Sequence, residues 1–95
     1  MMIINAIFKC KKGKREYLRE KMREEGIDTA SRNEEGNLRY DLYMSTENDI
    51  DMMIQEFWET EEAWREHREL PHYARLEELK KETVDDVEVK RAFVD

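Results

Sequence analysis

One cysteine, one proline and three glycines are all that this 95-residue chain holds of the residues that staple or punctuate a fold. A lone Cys10 cannot close an internal disulfide, so the chain needs no oxidising compartment, and the residue is either a core thiol or a redox-active one. No Gly- or Pro-rich stretch marks a linker, and no repeat or low-complexity segment is present. No apolar run is long enough to span a bilayer. The apolar start, Met1 to Phe8, is too short for a secretory leader and lacks its basic residues, so a cytoplasmic location is expected. A glycine-rich phosphate loop, a dinucleotide fingerprint and an HExxH motif are all missing. His67 and His72 stand five apart with Pro71 between them, which is not a standard helical metal pair, so no protein-bound metal is expected. Ser31 and Ser45 lie in polar stretches that give no sign of a Ser-His-Asp triad. Positive charge is also short. The net charge of -7 disfavours nonspecific nucleic-acid binding, although residues 9–25 gather eight Lys or Arg against four acids.

What the chain does hold is 43% charged and 39% apolar residues, the latter at regular spacing. That regularity argues for a folded chain over a disordered one, and the length for a single domain over residues 1–95. A chain this short buries only about 60–65% of its unfolded surface, so a partner surface would add substantially to a small core.

Ile3, Ile4, Ala6, Ile7 and Phe8 predict a first strand, with Asn5 its only polar residue. An amide there needs a partner: it faces either solvent or a cavity in which it donates to a bound oxygen. A helix is expected over 14–25, with Tyr17, Leu18, Met22 and then Ile27 on its buried stripe and Gly26 at its end. Residues 28–37 read as a polar loop. A second strand over 38–44 puts Leu38, Tyr40, Leu42 and Met44 on one face and Arg39, Asp41 and Tyr43 on the other. A third, over 51–58, separates Met52, Ile54, Glu56 and Trp58 from Met53, Gln55 and Phe57. Both faces carry large side chains, so the second face is expected to be covered by another subunit or to line a cavity. Thr60 caps a helix bearing Ala63, Trp64, His67 and Leu70; Pro71 ends it or opens another, which carries Tyr73, Leu76 and Leu79. A last strand is expected over 84–94. The order is βαββαβ, the ferredoxin-like α+β arrangement.

The unusual side chains gather between Tyr40 and Tyr73. Glu56 shares a strand face with Met52 and Ile54, where burial would raise its pKa unless an arginine pairs with it. His67 is either a satisfied helix histidine or a proton carrier near neutral pH. Trp58 and Trp64 are core or interface residues, or stack on an aromatic ligand. His72, Tyr43 and Tyr73 complete the candidate ligand contacts, and Asn5 is a candidate donor.

The stretch Asn33-Glu34-Glu35-Gly36-Asn37-Leu38-Arg39-Tyr40-Asp41-Leu42-Tyr43, then Glu56-Phe57-Trp58, Glu62-Ala63-Trp64-Arg65-Glu66-His67 and Leu70-Pro71-His72-Tyr73, resembles the antibiotic biosynthesis monooxygenase family. The resemblance implies a ferredoxin-like α+β fold, paired with a second copy into a dimeric α+β barrel. It implies a cofactor-independent monooxygenase that oxidises a small phenolic, quinol or anthrone-like aromatic substrate with molecular oxygen. His67 would act as base or orienter and Asn5 as a donor to a substrate or peroxide oxygen. Trp58 would wall the pocket, with Tyr43 or Tyr73 as further substrate contacts; the residues read on their own add Trp64, His72 and Glu56 to the candidate substrate contacts. The family's haem-degrading branch fits poorly: Glu77 stands where its iron-binding histidine belongs, and His67 where its tryptophan belongs. A non-catalytic small-molecule binding or stress-response protein, or an isomerase of a small phosphorylated signal metabolite, are the alternatives.

Overall fold

Every second residue of the first strand, β1 (Met2–Cys10), is buried: Met2, Ile4, Ala6, Phe8 and Cys10 point to one face. The computed structural model describes residues 1–95. Burial pushes the Cys10 thiol up, against the opposing effect of Arg15, which suits a core residue. The first helix, α1 (Arg15–Glu24), lays Leu18 and Met22 on that same face. Gly26 ends it in the left-handed region, φ 70, and returns its N–H to the Arg23 carbonyl.

A short helix, α2 (Ile27–Arg32), follows where a polar loop was expected. Its buried positions are mostly polar, which hides it from apolar periodicity. Asp28 is buried between Arg19 at 3.3 Å and Arg32 at 3.6 Å, and the Ser31 hydroxyl donates to the Ile27 carbonyl at 2.9 Å.

β2 (Asn37–Met44) and β3 (Asp51–Trp58) form the expected hairpin. Met52, Ile54, Glu56 and Trp58 of β3 are all buried, as alternation predicts. Leu38 is a correction. A bulge between Asn37 and Arg39 makes it the extra residue of β2, so it leaves the inner row of Tyr40, Leu42 and Met44 and is 54% exposed. Thr60 caps α3 (Glu61–His67), its hydroxyl accepting from the Ala63 N–H at 3.1 Å. Pro71 opens a separate helix, α4 (Pro71–Thr83), in the first turn where its missing N–H costs nothing. The last strand, β4 (Val84–Phe93), begins directly after it. No helix is long and apolar enough to cross a membrane.

The strands form one antiparallel sheet in the order β2-β3-β1-β4, the ferredoxin-like arrangement, with the helices on one face. The expected dimeric α+β barrel is corrected here. The sheet is open, with β2 and β4 as two separate edges, because four strands do not curl far enough to bring those edges together. The helices also stop short of β4, whose inward Val87 and Val89 stay 36% and 52% exposed. On the outer face Ile3, Ile7, Met53 and Phe57 are half-buried by their own neighbours, Phe57 under the Arg39 guanidinium 4.9 Å from its ring centre.

Candidate active site

The gap that the helices leave over β4 is the mouth of a cavity of about 280 Å³. Its floor is the inner row of the sheet, with Ile4, Ala6, Phe8 and Ile54, and Val87, Val89 and Arg91 of β4 form its open side. α3 and the turn after it contribute Trp64, His67 and Arg68. α4 contributes Tyr73, Leu76, Glu77 and Lys80 at helical spacing. Tyr40 and Glu56 close the inner end.

Alternation along β3 turns Glu56 inward, opposite Tyr40 on one side and Ile4 on the other. It is 8% exposed, and no arginine pairs with it. Instead the Trp58 indole N–H donates to Glu56 Oε1 at 3.0 Å. Burial pushes the carboxyl up to about 7; the Trp58 hydrogen bond opposes this, the charge of Glu34 adds to it, and Lys80 opposes it. Burial likewise places the Tyr40 phenol far above its ordinary value, so it stays protonated.

His67 ends α3 and is 2% exposed. Its Nδ1 lies 2.5 Å from Glu34 Oε2, so the carboxylate accepts from Nδ1–H. In the neutral ring this leaves the lone pair on Nε2, which lies 3.9 Å from Glu56 Oε1. Burial pushes the imidazole pKa down, against the pull of Glu34. Aromatic rings hold His67 in place: Trp58 at 4.8 Å between centroids, Tyr73 at 5.2 Å and Tyr40 at 6.1 Å. The arrangement is a carboxylate, an oriented imidazole and a second, near-neutral carboxyl in line. It can take a proton from a hydroxyl or acidic C–H presented from the cavity.

His72 is not a cavity residue. Its Nε2 donates to the same Glu34 oxygen at 2.6 Å, on the side of His67 away from Glu56. Pro71 starts a new helix and so turns His72 back toward His67, and the two histidines meet without forming a pair on one helix. With Glu34 they offer three ligand atoms within 4.8 Å of one another, a set a divalent ion could use. Without an ion, both imidazole N–H groups are satisfied by the carboxylate.

The structure thus brings together His67, Glu56, Trp64 and Tyr73 around the cavity. Trp58 does not wall the cavity; it is fully buried behind Glu56 and His67, beside Met2 and Ile4. Asn5 and Tyr43 do not reach the site. Both stand on the outer face, where the Gln55 amide donates to Asn5 Oδ1 at 3.0 Å and Tyr43 is 43% exposed. An inner row beginning at Met2 forces odd-numbered residues of β1 outward, so Asn5 cannot meet a ligand held by His67 in this cavity. Glu34 is the residue that sequence reasoning missed. It sits in the turn between α2 and β2, and an acid beside Glu35 in a polar turn carries no signal of its own.

Over residues 1–79 the chain matches the antibiotic biosynthesis monooxygenase family. A match of that extent settles the class, and the chain belongs to this family, which supports a monooxygenase-type activity in general terms. Solved structures agree on the fold. Rv0793 from Mycobacterium tuberculosis is 28% identical, with a TM-score of 0.85 over 99% of this chain and 95% of its own. A protein from Nitrosomonas europaea given the same family name is 20% identical, with a TM-score of 0.90 over 99% and 98% of the two chains. PA3566 from Pseudomonas aeruginosa is 22% identical, with a TM-score of 0.87 over 98% and 92%. No functionally curated protein matches the sequence.

Proposed function

We propose that this chain is a cofactor-independent oxygenase acting on a small phenolic, quinol or anthrone-like substrate in the cavity beside His67. The observation that carries this is a buried pair of proton acceptors, His67 Nε2 and Glu56, opening onto a mostly apolar cavity. His67, held by Glu34, takes the proton from the substrate, and Glu56 beside it shares or relays that proton. The substrate anion passes one electron to molecular oxygen, and the resulting radical and superoxide join in a C–O bond. The peroxide takes up a proton and loses water, leaving a carbonyl where an anthrone-type carbon carried two hydrogens. The substrate supplies every electron, so no external reductant enters the balance. An apolar cavity suits dioxygen, and a site that excludes water protects the radical pair. Haem suits this site less well, since Glu77 is tied to Lys80 at 2.8 Å and offers a carboxylate in place of an imidazole.

The working form in this proposal is a cytoplasmic homodimer that buries the outer face of the sheet, where the apolar pairs Ile3–Phe57 and Ile7–Met53 flank the hydrogen-bonded Asn5–Gln55 pair. Sedimentation of the wild type and of Phe57→Glu tests it: a dimer that the substitution dissociates is expected, and a wild-type monomer refutes it.

Oxygen uptake with a panel of quinols and anthrones tests the activity. Turnover above the uncatalysed rate should fall about 10²–10⁴-fold in His67→Ala; unchanged turnover removes His67 from the chemistry. A second reading, isomerisation of a small phosphorylated metabolite, draws on Arg68 and Arg91 at the cavity mouth. It predicts no oxygen consumption with any member of the panel.

A further inference from the structure

The cavity mouth inverts the charge of the protein around it. Acids outnumber bases 24 to 17 in the chain, yet Arg68, Lys80 and Arg91 all line this cavity. Lys80 is matched by Glu77 at 2.8 Å. Arg68 and Arg91 have no ionic partner. Of nine arginines, six are ion-paired within the chain, and of the three left over only Arg23 lies away from the cavity. In a chain with acids to spare, leaving these two guanidinium groups unmatched at one opening points to an anion supplied from outside.

The two groups are also held in place. The Arg68 guanidinium lies 5.0 Å and that of Arg91 5.6 Å from the centre of the Trp64 ring. Arg68 also reaches the Tyr73 hydroxyl, but neither guanidinium gives its N–H edges to a carboxylate of the chain, and the donors left over match a carboxylate in bidentate fashion.

The sheet register sets the length of the ligand. Ile4 pairs with Glu56 on one side and with Arg91 on the other, so Arg91, Ile4 and Glu56 form one row across the cavity floor. Neighbouring strands are about 4.8 Å apart, which separates the backbone at Glu56 and Arg91 by roughly 10 Å. A cavity of about 280 Å³ lies near the lower end of the ~300–1,000 Å³ typical of small-molecule sites and suits one or two fused rings.

Resting on the oxygenase function above, we propose that the substrate is an aromatic hydroxy acid. Its hydroxyl meets Glu56 and His67 at the inner end, its ring lies over Ile4, and its carboxylate is clamped at the mouth by Arg91 and Arg68. The clamp fixes which end of the molecule enters first, and so which carbon meets oxygen.

Calorimetric titration with 6-hydroxy-2-naphthoate and with 2-naphthol tests the clamp without turnover. The acid is expected to bind at least about tenfold more tightly, with an advantage that shrinks as salt is added. That advantage should vanish in the R68Q/R91Q double variant, which should bind the two probes with equal affinity. Equal affinities overturn the proposal, as does an advantage that survives in the double variant or a failure of the wild type to bind either probe. Oxygen uptake separates this clamp from the activity it rests on. Selective binding of the acid without oxygen consumption from 1,4-dihydroxy-2-naphthoate leaves the clamp standing and refutes the oxygenase. Equal turnover of that acid and of 1,4-dihydroxynaphthalene refutes the clamp alone.

Discussion

Glu56→Gln separates the two things that burial does to this carboxyl. In the folded chain Glu56 holds its proton up to about pH 7, whereas its ordinary value is 4.5. Between those values the native state binds a proton that the unfolded chain has released, so stability falls as pH rises. The full loss, present above about pH 8, is roughly 3 kcal/mol at 1.36 kcal/mol per pH unit, a sizeable part of a small domain's stability. Gln fills the same volume, keeps an oxygen to accept from the Trp58 indole 3.0 Å away, and cannot ionise. Glu34, Lys80 and His67 face the group, and their charges are common to both proteins. His67 works in the opposite direction: its lowered pKa makes stability fall as pH drops below 6.5, so the wild-type profile alone is ambiguous and the difference between the proteins is the useful quantity. Urea unfolding of both from pH 4 to 9 should show the variant gaining on the wild type through the window from 4.5 to 7, reaching roughly 3 kcal/mol by pH 9. A difference that stays flat across that range would mean that Glu56 titrates as an ordinary glutamate, and the proton-acceptor role built on its burial would go with it.

Three further outcomes follow from individual contacts. Trp58→Phe keeps the ring against His67 but removes the donor to Glu56; the carboxyl titration should move further above 7, and the rising limb of kcat/KM against pH with it. Asn5→Ala should leave oxygen-uptake kinetics within about twofold of wild type, because the side chain bonds to Gln55 on the face away from the cavity; a loss of a hundredfold would place the reaction elsewhere. Gly36→Ala should cost about 2–4 kcal/mol in thermal or urea unfolding. Its φ of +87 disfavours any side chain, and an added Cβ would lie 2.7 Å from the Cβ of Ala63 in the first turns of α3.

The fold was legible wherever apolar runs and capping residues marked an element. The near-continuous apolar runs Met2 to Cys10 and Met52 to Trp58 announce strands, and the sheet then sorts them into alternating buried and half-buried rows; Thr60 and Pro71 mark the starts of α3 and α4. It was illegible where polar residues do the packing. α2 buries Asp28 and Ser31 through an ion pair and a backbone hydrogen bond, and no apolar stripe announces it. The Leu38 bulge was hidden for a related reason: Leu38-Arg39-Tyr40-Asp41-Leu42 alternates perfectly on paper, and only the pairing with Trp58 and Phe57 shows one residue too many. The barrel failed as an expectation because it concerned how sheet edges meet, and no residue pattern within four strands encodes that.

The site divides along the same line. Glu56, His67, Trp64 and Tyr73 reach one cavity because strand parity and helix spacing can be read locally, and those two rules place all four on the side of the sheet where the helices lie. Parity also decides Asn5. With Met2, Ile4 and Ala6 inward, residue 5 must face out, so an apolar strand with one amide was a signal about the outer sheet face, where Gln55 answers it. Glu34 obeys no such rule. It comes to His67 from 33 residues away through a turn, and its importance lies in a single proton: by accepting from Nδ1 it leaves Nε2 free to act on the Glu56 side. Replacing Glu34 by Gln should therefore leave the cavity intact yet release the ring to either tautomer. That loss would appear in turnover while ligand affinity holds, the separation expected when a side chain orients the base without touching the substrate.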